Sequence, residues 1–131
     1  MNRPPKPIRV LIVDDSPFIR MALKEILAQD PDIEVVGVAR DGKEGIAKLQ
    51  ELKPDVVTMD VEMPVMDGIR ALDEIMRWQP IPVIVLSAVT TQGARATMEA
   101  FDLGAVEVIA KTTGRSGDDL ASMAREIILK V

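Results

Sequence analysis

The feature that most constrains this chain is a regular alternation of two hydrophobic periods. Five short apolar runs suit strands that are buried on both faces, and apolar residues at helical spacing follow each run. The runs are Val10–Val13, Val35–Val38, Val56–Val57, Val83–Leu86 and Val106–Ile109. The helical stretches are Ile19–Leu27, Ile46–Leu49, Ile69–Met76, Ala94–Phe101 and Leu120–Ile128. The sequence therefore predicts an α/β fold of the (βα)5 type, a doubly wound five-stranded parallel sheet with right-handed crossovers.

Capping and turn residues agree with these boundaries. Ser16-Pro17 predicts an N-cap followed by proline at the first helical position. Asp41-Gly42 and Asp67-Gly68 predict the starts of the second and third helices or the turns just before them, and Gly104 predicts the end of a helix. Five strands favour the flavodoxin-like order 2-1-3-4-5, in which ligands bind beyond the carboxyl ends of the strands.

The composition narrows the function classes. The 131 residues suit one domain, expected at residues 8–131 behind a flexible tail at residues 1–7. There is neither cysteine nor histidine, which excludes disulfides, thiolate or imidazole metal sites, hydrolysis by a Ser-His-Asp triad and a role as phosphohistidine donor. The net charge of −5 argues against direct binding to nucleic acid. No signal peptide or apolar membrane span is evident, so no membrane contact and a cytoplasmic location are expected.

Polar residues at the predicted strand ends point to the chemistry. Asp14-Asp15 follows the first strand and Asp60 follows the third, so the three carboxylates should converge at one edge of the sheet. Taken singly, each could cap the next helix, but Ser16 already serves the first helix, and Asp67-Gly68 is the better start for the third. Each pair of unit charges about 4 Å apart costs on the order of 4 kcal/mol at an effective dielectric of about 20. Such a cluster needs a cation, and oxygen ligands alone favour Mg²⁺, or Mn²⁺ in its place.

Two further strand ends complete a site for a phosphoryl group. Ser87 ends the fourth strand and Lys111 ends the fifth. A hydroxyl, an ammonium group and a metal ion together supply the donors and positive charge that phosphoryl oxygens need. Each residue alone is more simply a solvated strand-end side chain, but all five polar residues at the right ends make coincidence a poor explanation.

These motifs resemble the receiver domain of two-component response regulators over about residues 8 to 130. They are Val10–Ser16 (VLIVDDS), Asp60–Gly68 (DVEMPVMDG), Val85–Ala88 (VLSA) and Gly104-Ala105 leading to Lys111. The resemblance implies that Asp60 is the phosphoacceptor, that a sensor histidine kinase donates the phosphoryl group, and that Asp14, Asp15, Asp60 and the backbone carbonyl of Glu62 bind the metal. It also implies that Ser87 is the switch hydroxyl and that Lys111 pairs with the phosphoryl group.

Two positions depart from the family pattern. Receivers usually carry proline after the lysine, joined by a cis bond, whereas Thr112 follows Lys111 here. The switch-aromatic position is Val108, so a swinging ring cannot report phosphorylation there. Switching is therefore expected to rest on Ser87 and the fourth helix, or on another surface.

One subtype of the family is more similar than others. Asp30–Gly37 (DPDIEVVG), Pro54–Pro64 (PDVVTMDVEMP) and Gly93–Thr97 (GARAT) resemble the regulatory domain of chemotaxis protein-glutamate methylesterase. The resemblance implies an effector or methylesterase domain as partner, contacted by the side formed by helix four, strand five and helix five. The chain itself is expected to have no esterase activity, because that chemistry needs a histidine.

Three alternatives remain at this point. A haloacid-dehalogenase-type phosphatase also phosphorylates an aspartate, but it uses Asp-x-Asp where this chain has Asp14-Asp15-Ser16. A flavodoxin-like binding module would need a loop rich in Gly, Ser and Thr after the first strand, and the loop here is Asp-Asp-Ser-Pro. The third alternative, a stand-alone single-domain regulator, is compatible with all of these residues.

Overall fold

Strands and helices alternate in the computed structural model, which describes residues 7–60, 68–78, 80–88, 91–105 and 107–111. The strands are β1 (Ile8–Val13), β2 (Ile33–Ala39), β3 (Val56–Asp60), β4 (Val83–Ala88) and β5 (Glu107–Lys111). The helices are α1 (Pro17–Ala28), α2 (Gly42–Leu52), α3 (Gly68–Trp78) and α4 (Thr91–Leu103). The predicted fifth helix and residues 1–6 of the tail predicted at residues 1–7 lie outside the described residues. No helix in the described ranges has the length and apolarity that crossing a lipid bilayer requires.

The five strands form one parallel sheet in the order β2-β1-β3-β4-β5. This confirms the predicted flavodoxin-like topology. All strands run the same way, so their carboxyl ends share one edge of the sheet. The central pair is β1 and β3, in which Val13 is in register with Met59.

Side chains alternate between two apolar cores, one on each face of the sheet. One core joins sheet residues to α2, α3 and α4, and the other joins sheet residues to α1. The strand residues of the first core are Leu11, Val13, Ala39, Val57, Met59, Val83 and Val85. Those of the second are Val10, Ile12, Ile33, Val56, Ile84, Leu86 and Ile109. Burial on both faces explains why the strands read as continuous apolar runs rather than alternating ones.

The helix boundaries follow from local hydrogen bonds. The Ser16 hydroxyl accepts the Ile19 amide hydrogen at 3.3 Å, which confirms the predicted N-cap. The Asp41 carboxylate accepts the Glu44 amide hydrogen at 2.8 Å, so the predicted helix start at Asp41-Gly42 is also confirmed. Gly104 follows α4 with φ of +106°, as expected of a glycine that ends a helix. Lys53 ends α2 in the left-handed region with φ of 49°, and Arg9 Nη1 donates to its carbonyl at 2.9 Å. The sequence did not predict this lysine cap, because glycine normally fills that role.

Thr58 is a buried polar residue at the centre of the sheet. Its in-register neighbours are Ile12 on β1 and Ile84 on β4, and both belong to the core beside α1. Within the described part of the chain its hydroxyl has no hydrogen-bond partner. A buried hydroxyl without a hydrogen-bond partner lowers the free energy of unfolding by roughly 1–3 kcal/mol.

Thr58→Val should therefore raise the free energy of unfolding by about 1 kcal/mol, because the replacement keeps the shape and removes the unsatisfied group. Urea denaturation measures the change. Thr58→Ser is the matched control, since it keeps the hydroxyl and loses a methyl group, and it should unfold more readily than the unmutated chain. A less stable Thr58→Val protein would show that the hydroxyl forms a hydrogen bond in solution.

Candidate metal and phosphoryl site

The carboxyl ends of β1 and β3 bring three carboxylates together. Asp14 and Asp15 come directly after β1, and Asp60 is the last residue of β3, the strand paired with β1. Each of the three offers one carboxylate oxygen, and these oxygens lie within 4.8 Å of one another. Asp14 and Asp60 are 0% exposed, whereas Asp15 is exposed. The predicted convergence of these residues is thus present in the structure.

The composition of this cluster fits a hard divalent cation. Its donors are all carboxylate oxygens, which Mg²⁺ and Mn²⁺ prefer over the softer ligands of zinc or copper sites. Two of the three carboxylates are withdrawn from water, so solvent screens their mutual repulsion less than at an exposed site. A bound cation would relieve that repulsion.

The loop between β1 and α1 is fixed by hydrogen bonds on both sides of Asp14. The Asp14 amide donates to the Ala39 carbonyl at 3.0 Å, which ties the loop to β2. The Asp14 carbonyl accepts a hydrogen bond from Arg20 Nη1 at 2.7 Å. The Asp14 carboxylate accepts the Ser16 amide hydrogen at 2.9 Å.

These contacts correct one step of the sequence interpretation. Because Ser16 caps α1, the sequence suggested that Asp14 has no structural role. In the structure, however, a carboxylate oxygen of Asp14 accepts a hydrogen bond from the Ser16 amide. Sequence reasoning also missed Arg20. Its position four residues after the N-cap was the available signal, because a helical side chain there points back toward the start of the helix.

The other predicted site residues are placed by their backbone. Asp60 is in register with Leu86, so Ser87 lies one residue further along β4. Lys111 is the last residue of β5 and is in register with Ala88. Both residues are therefore near the carboxyl ends of their strands, as the sequence predicted. Val108 lies within β5, in register with Val85, whereas Glu62 and Thr112 lie outside the described residues.

A family model described as the response regulator receiver domain matches residues 10–124. The chain belongs to the response regulator receiver domain family. The match covers all of the described strands and helices except the start of β1. It confirms the resemblance that the strand-end motifs indicated.

Relatives and solved structures refine the placement of this receiver domain. Over 131 residues it is 60% identical to a protein-glutamate methylesterase/protein-glutamine glutaminase of Desulfitobacterium hafniense (strain Y51). The alignment includes 100% of this chain and 33% of that protein, so the receiver spans about a third of that relative's length. The predicted similarity to the methylesterase subtype is confirmed.

Two crystal structures extend the comparison to three dimensions. The response regulator domain of Thermotoga maritima CheB is 49% identical, with a TM-score of 0.87 over 95% of this chain and 93% of that chain. The CheX-CheY-BeF3-Mg+2 complex from Borrelia burgdorferi contains a chain that is 31% identical, with a TM-score of 0.75 over 94% of this chain and 90% of that chain.

Asp15→Asn should remove the stabilisation that Mg²⁺ gives to this domain. Mg²⁺ at about 100 times its dissociation constant should add about 2.7 kcal/mol to the free energy of unfolding of the unmutated chain. In a chelator, the mutant should unfold at a higher urea concentration than the unmutated chain, because one repelling charge is gone. Urea denaturation with and without Mg²⁺ measures both effects.

The matched control for this experiment is Asp32→Asn, an equal change of charge at an exposed residue just before β2, at the opposite edge of the sheet. It should leave the Mg²⁺ response intact. Full Mg²⁺ stabilisation of Asp15→Asn would place the ion elsewhere.

Proposed function

We propose that this receiver domain accepts a phosphoryl group on Asp60 in a reaction that requires Mg²⁺ or Mn²⁺. The observation that carries the proposal is that carboxylate oxygens of Asp14, Asp15 and Asp60 lie within 4.8 Å of one another at the carboxyl edge of a parallel sheet. Asp14 and Asp60 are fully buried. Asp14, Asp15, Asp60 and the backbone carbonyl of Glu62 would hold the metal. A cation bound there would supply positive charge that offsets the repulsion between the phosphoryl oxygens and the Asp60 carboxylate.

The proposed donor is a phosphohistidine on a sensor kinase. An Asp60 carboxylate oxygen forms the new O–P bond while the P–N bond to the donor imidazole breaks, and the imidazole leaves. The donor supplies the energy, and this chain supplies position and charge. The similar chain from Borrelia burgdorferi is part of a complex with BeF3 and Mg+2, which supports a phosphoryl and magnesium site in the family. The proposed location is the cytoplasm, because the chain must share a compartment with the phosphohistidine of that kinase.

Asp60→Asn should abolish phosphorylation by acetyl phosphate in Mg²⁺. The unmutated chain should gain one phosphoryl group, measured by intact-protein mass spectrometry, and lose it in hydroxylamine, because an acyl phosphate is labile to nucleophiles. Asp55→Asn is a control at the amino edge of the sheet, just before β3, and should be phosphorylated normally. An undiminished adduct on Asp60→Asn would refute the assignment of the phosphoacceptor.

Ser87 and Lys111 are proposed to contact the phosphoryl group. Their strand positions bring the backbone of each to the edge that carries the carboxylates. With Val108 at the switch-aromatic position, the conformational response is assigned to Ser87 and α4. The Ser87 hydroxyl would donate to a phosphoryl oxygen, and the Lys111 ammonium group would offset its charge.

Ser87→Ala should leave phosphorylation of Asp60 intact and weaken the conformational response. The lost hydrogen bond to a charged group is worth roughly 1–3 kcal/mol, enough to shift a two-state equilibrium substantially. Backbone NMR shifts of α4, recorded before and after addition of acetyl phosphate, measure the response. The same α4 shifts in Ser87→Ala and in the unmutated chain would rule out Ser87 as the switch.

The proposed output is control of a protein-glutamate methylesterase domain. The 60% identity to the Desulfitobacterium hafniense methylesterase supports this partner. On α4, Met98 is 70% exposed and Phe101 is 49% exposed, and their spacing of three residues puts them on one face of the helix. This exposed apolar pair supports the predicted contact side. The chain alone is proposed to lack esterase activity, and a stand-alone regulator remains the second candidate.

A separately produced methylesterase domain should be inhibited by this chain, and phosphorylation should relieve the inhibition. Met98→Ser should weaken the inhibition, because the residue lies on the proposed contact face. Met21→Ser is the matched control, since Met21 is 72% exposed on α1. Esterase turnover measures the effect. Absence of any binding in either phosphorylation state would favour the stand-alone regulator.

A further inference from the structure

Arg20 connects α1 to the loop that carries two of the three carboxylates. It lies in the first turns of α1, and its own amide donates to the Ser16 carbonyl at 3.0 Å. Its half-buried side chain reaches back along the helix, and Nη1 donates to the Asp14 carbonyl at 2.7 Å. A guanidinium donor makes such a bond shorter and stronger than one between neutral groups.

The bonded carbonyl determines more than the position of Asp14. It belongs to the peptide group that joins Asp14 to Asp15, and a peptide group is planar. Fixing this plane sets the direction in which the backbone enters Asp15. The Asp14 amide is already tied to Ala39, so Arg20 completes the anchoring of Asp14 on its carboxyl side.

Asp15 needs this backbone support more than its two neighbours do. Asp14 and Asp60 are buried and packed, whereas the side chain of Asp15 is exposed. An exposed side chain gains little restraint from packing, and repulsion from two nearby carboxylates favours its turning away. The orientation of the peptide group before Asp15 is therefore a main determinant of whether its carboxylate stays within reach of the same cation.

We propose that Arg20 is a positioning residue for the metal site, which acts by holding the Asp14–Asp15 peptide group and so preorganises the Asp15 carboxylate. This inference rests on the proposed metal site but does not depend on phosphoryl transfer. It is therefore tested with metal ion alone.

The experiment compares Arg20→Met with Arg9→Met. Arg9 donates from Nη1 to the Lys53 carbonyl at 2.9 Å, so it makes the same kind of bond at the opposite end of the same strand. NMR titration with Mg²⁺ should show affinity weakened about tenfold in Arg20→Met, the size expected when a charged hydrogen bond is lost. Arg9→Met should bind Mg²⁺ as the unmutated chain does, even where urea denaturation shows a similar loss of stability.

Two further readouts separate positioning from a general loss of structure. Arg20→Lys keeps one charged donor and should recover part of the Mg²⁺ affinity. The Asp15 amide nitrogen shares the peptide group that Arg20 holds, so its chemical shift in metal-free protein should move in Arg20→Met and stay constant in Arg9→Met.

Unchanged Mg²⁺ affinity in Arg20→Met would overturn the proposal, and so would an equal loss in Arg9→Met. If Arg20→Met does not fold, Arg20→Lys provides the test. An altered Asp15 amide shift with full Mg²⁺ affinity in that variant would show that the peptide group can move without loss of binding, and would overturn the proposal. The two proposals can also fail separately. If Arg20→Met binds Mg²⁺ more weakly but acetyl phosphate never phosphorylates the unmutated chain, the role of Arg20 stands and the proposed function is refuted.

Discussion

The parallel pairing of β1 with β3 is the constraint on which the rest of the site depends. Val13 lies opposite Met59, so the residues that follow each of them, Asp14 and Asp60, necessarily emerge side by side. Both are withdrawn from water, and a third carboxylate comes from the next residue of the same loop. Like charges would not assemble in this way unless the surrounding structure forced them together.

Burial of apolar surface on both faces of the sheet supplies the free energy that holds these carboxylates together. The two cores fix the register of the strands, because a shift by one residue would move every side chain to the wrong face. The stability of the sheet thus offsets the repulsion within the acidic cluster. An acidic cluster held together in this way would gain stability from a bound cation, because a ligand that binds only the folded state stabilises it.

Much of this architecture could be predicted from the sequence because its signals are local. Apolar runs such as Val10–Val13 mark strands, Ser16-Pro17 marks a helix start, and the order of the elements leaves few topologies. The convergence of Asp14, Asp15 and Asp60 followed from that topology alone. Strand β2 was predicted at Val35–Val38 but runs from Ile33 to Ala39, because Glu34 interrupts the apolar pattern without ending the hydrogen-bonded ladder.

The contacts that sequence reasoning missed are those that depend on where a side chain or carbonyl ends up in three dimensions. The Arg20 guanidinium binds a backbone carbonyl, and the only sequence signal for this contact was its position four residues after the N-cap. The left-handed cap at Lys53 is held by Arg9, which is 44 residues away in the chain. By contrast, the bond between the Asp14 carboxylate and the Ser16 amide is local, because an aspartate side chain readily accepts the amide hydrogen two residues further along, so the sequence could have predicted it.

The central claim is that the three carboxylates hold one divalent cation together. A crystal of this chain grown in Mn²⁺ tests it most directly, because anomalous scattering locates the ion independently of the protein atoms. The account predicts one anomalous peak bonded to carboxylate oxygens of Asp15 and Asp60, with Asp14 bound directly or through water. A fully occupied Mn²⁺ site elsewhere, with no peak between these carboxylates, would contradict it.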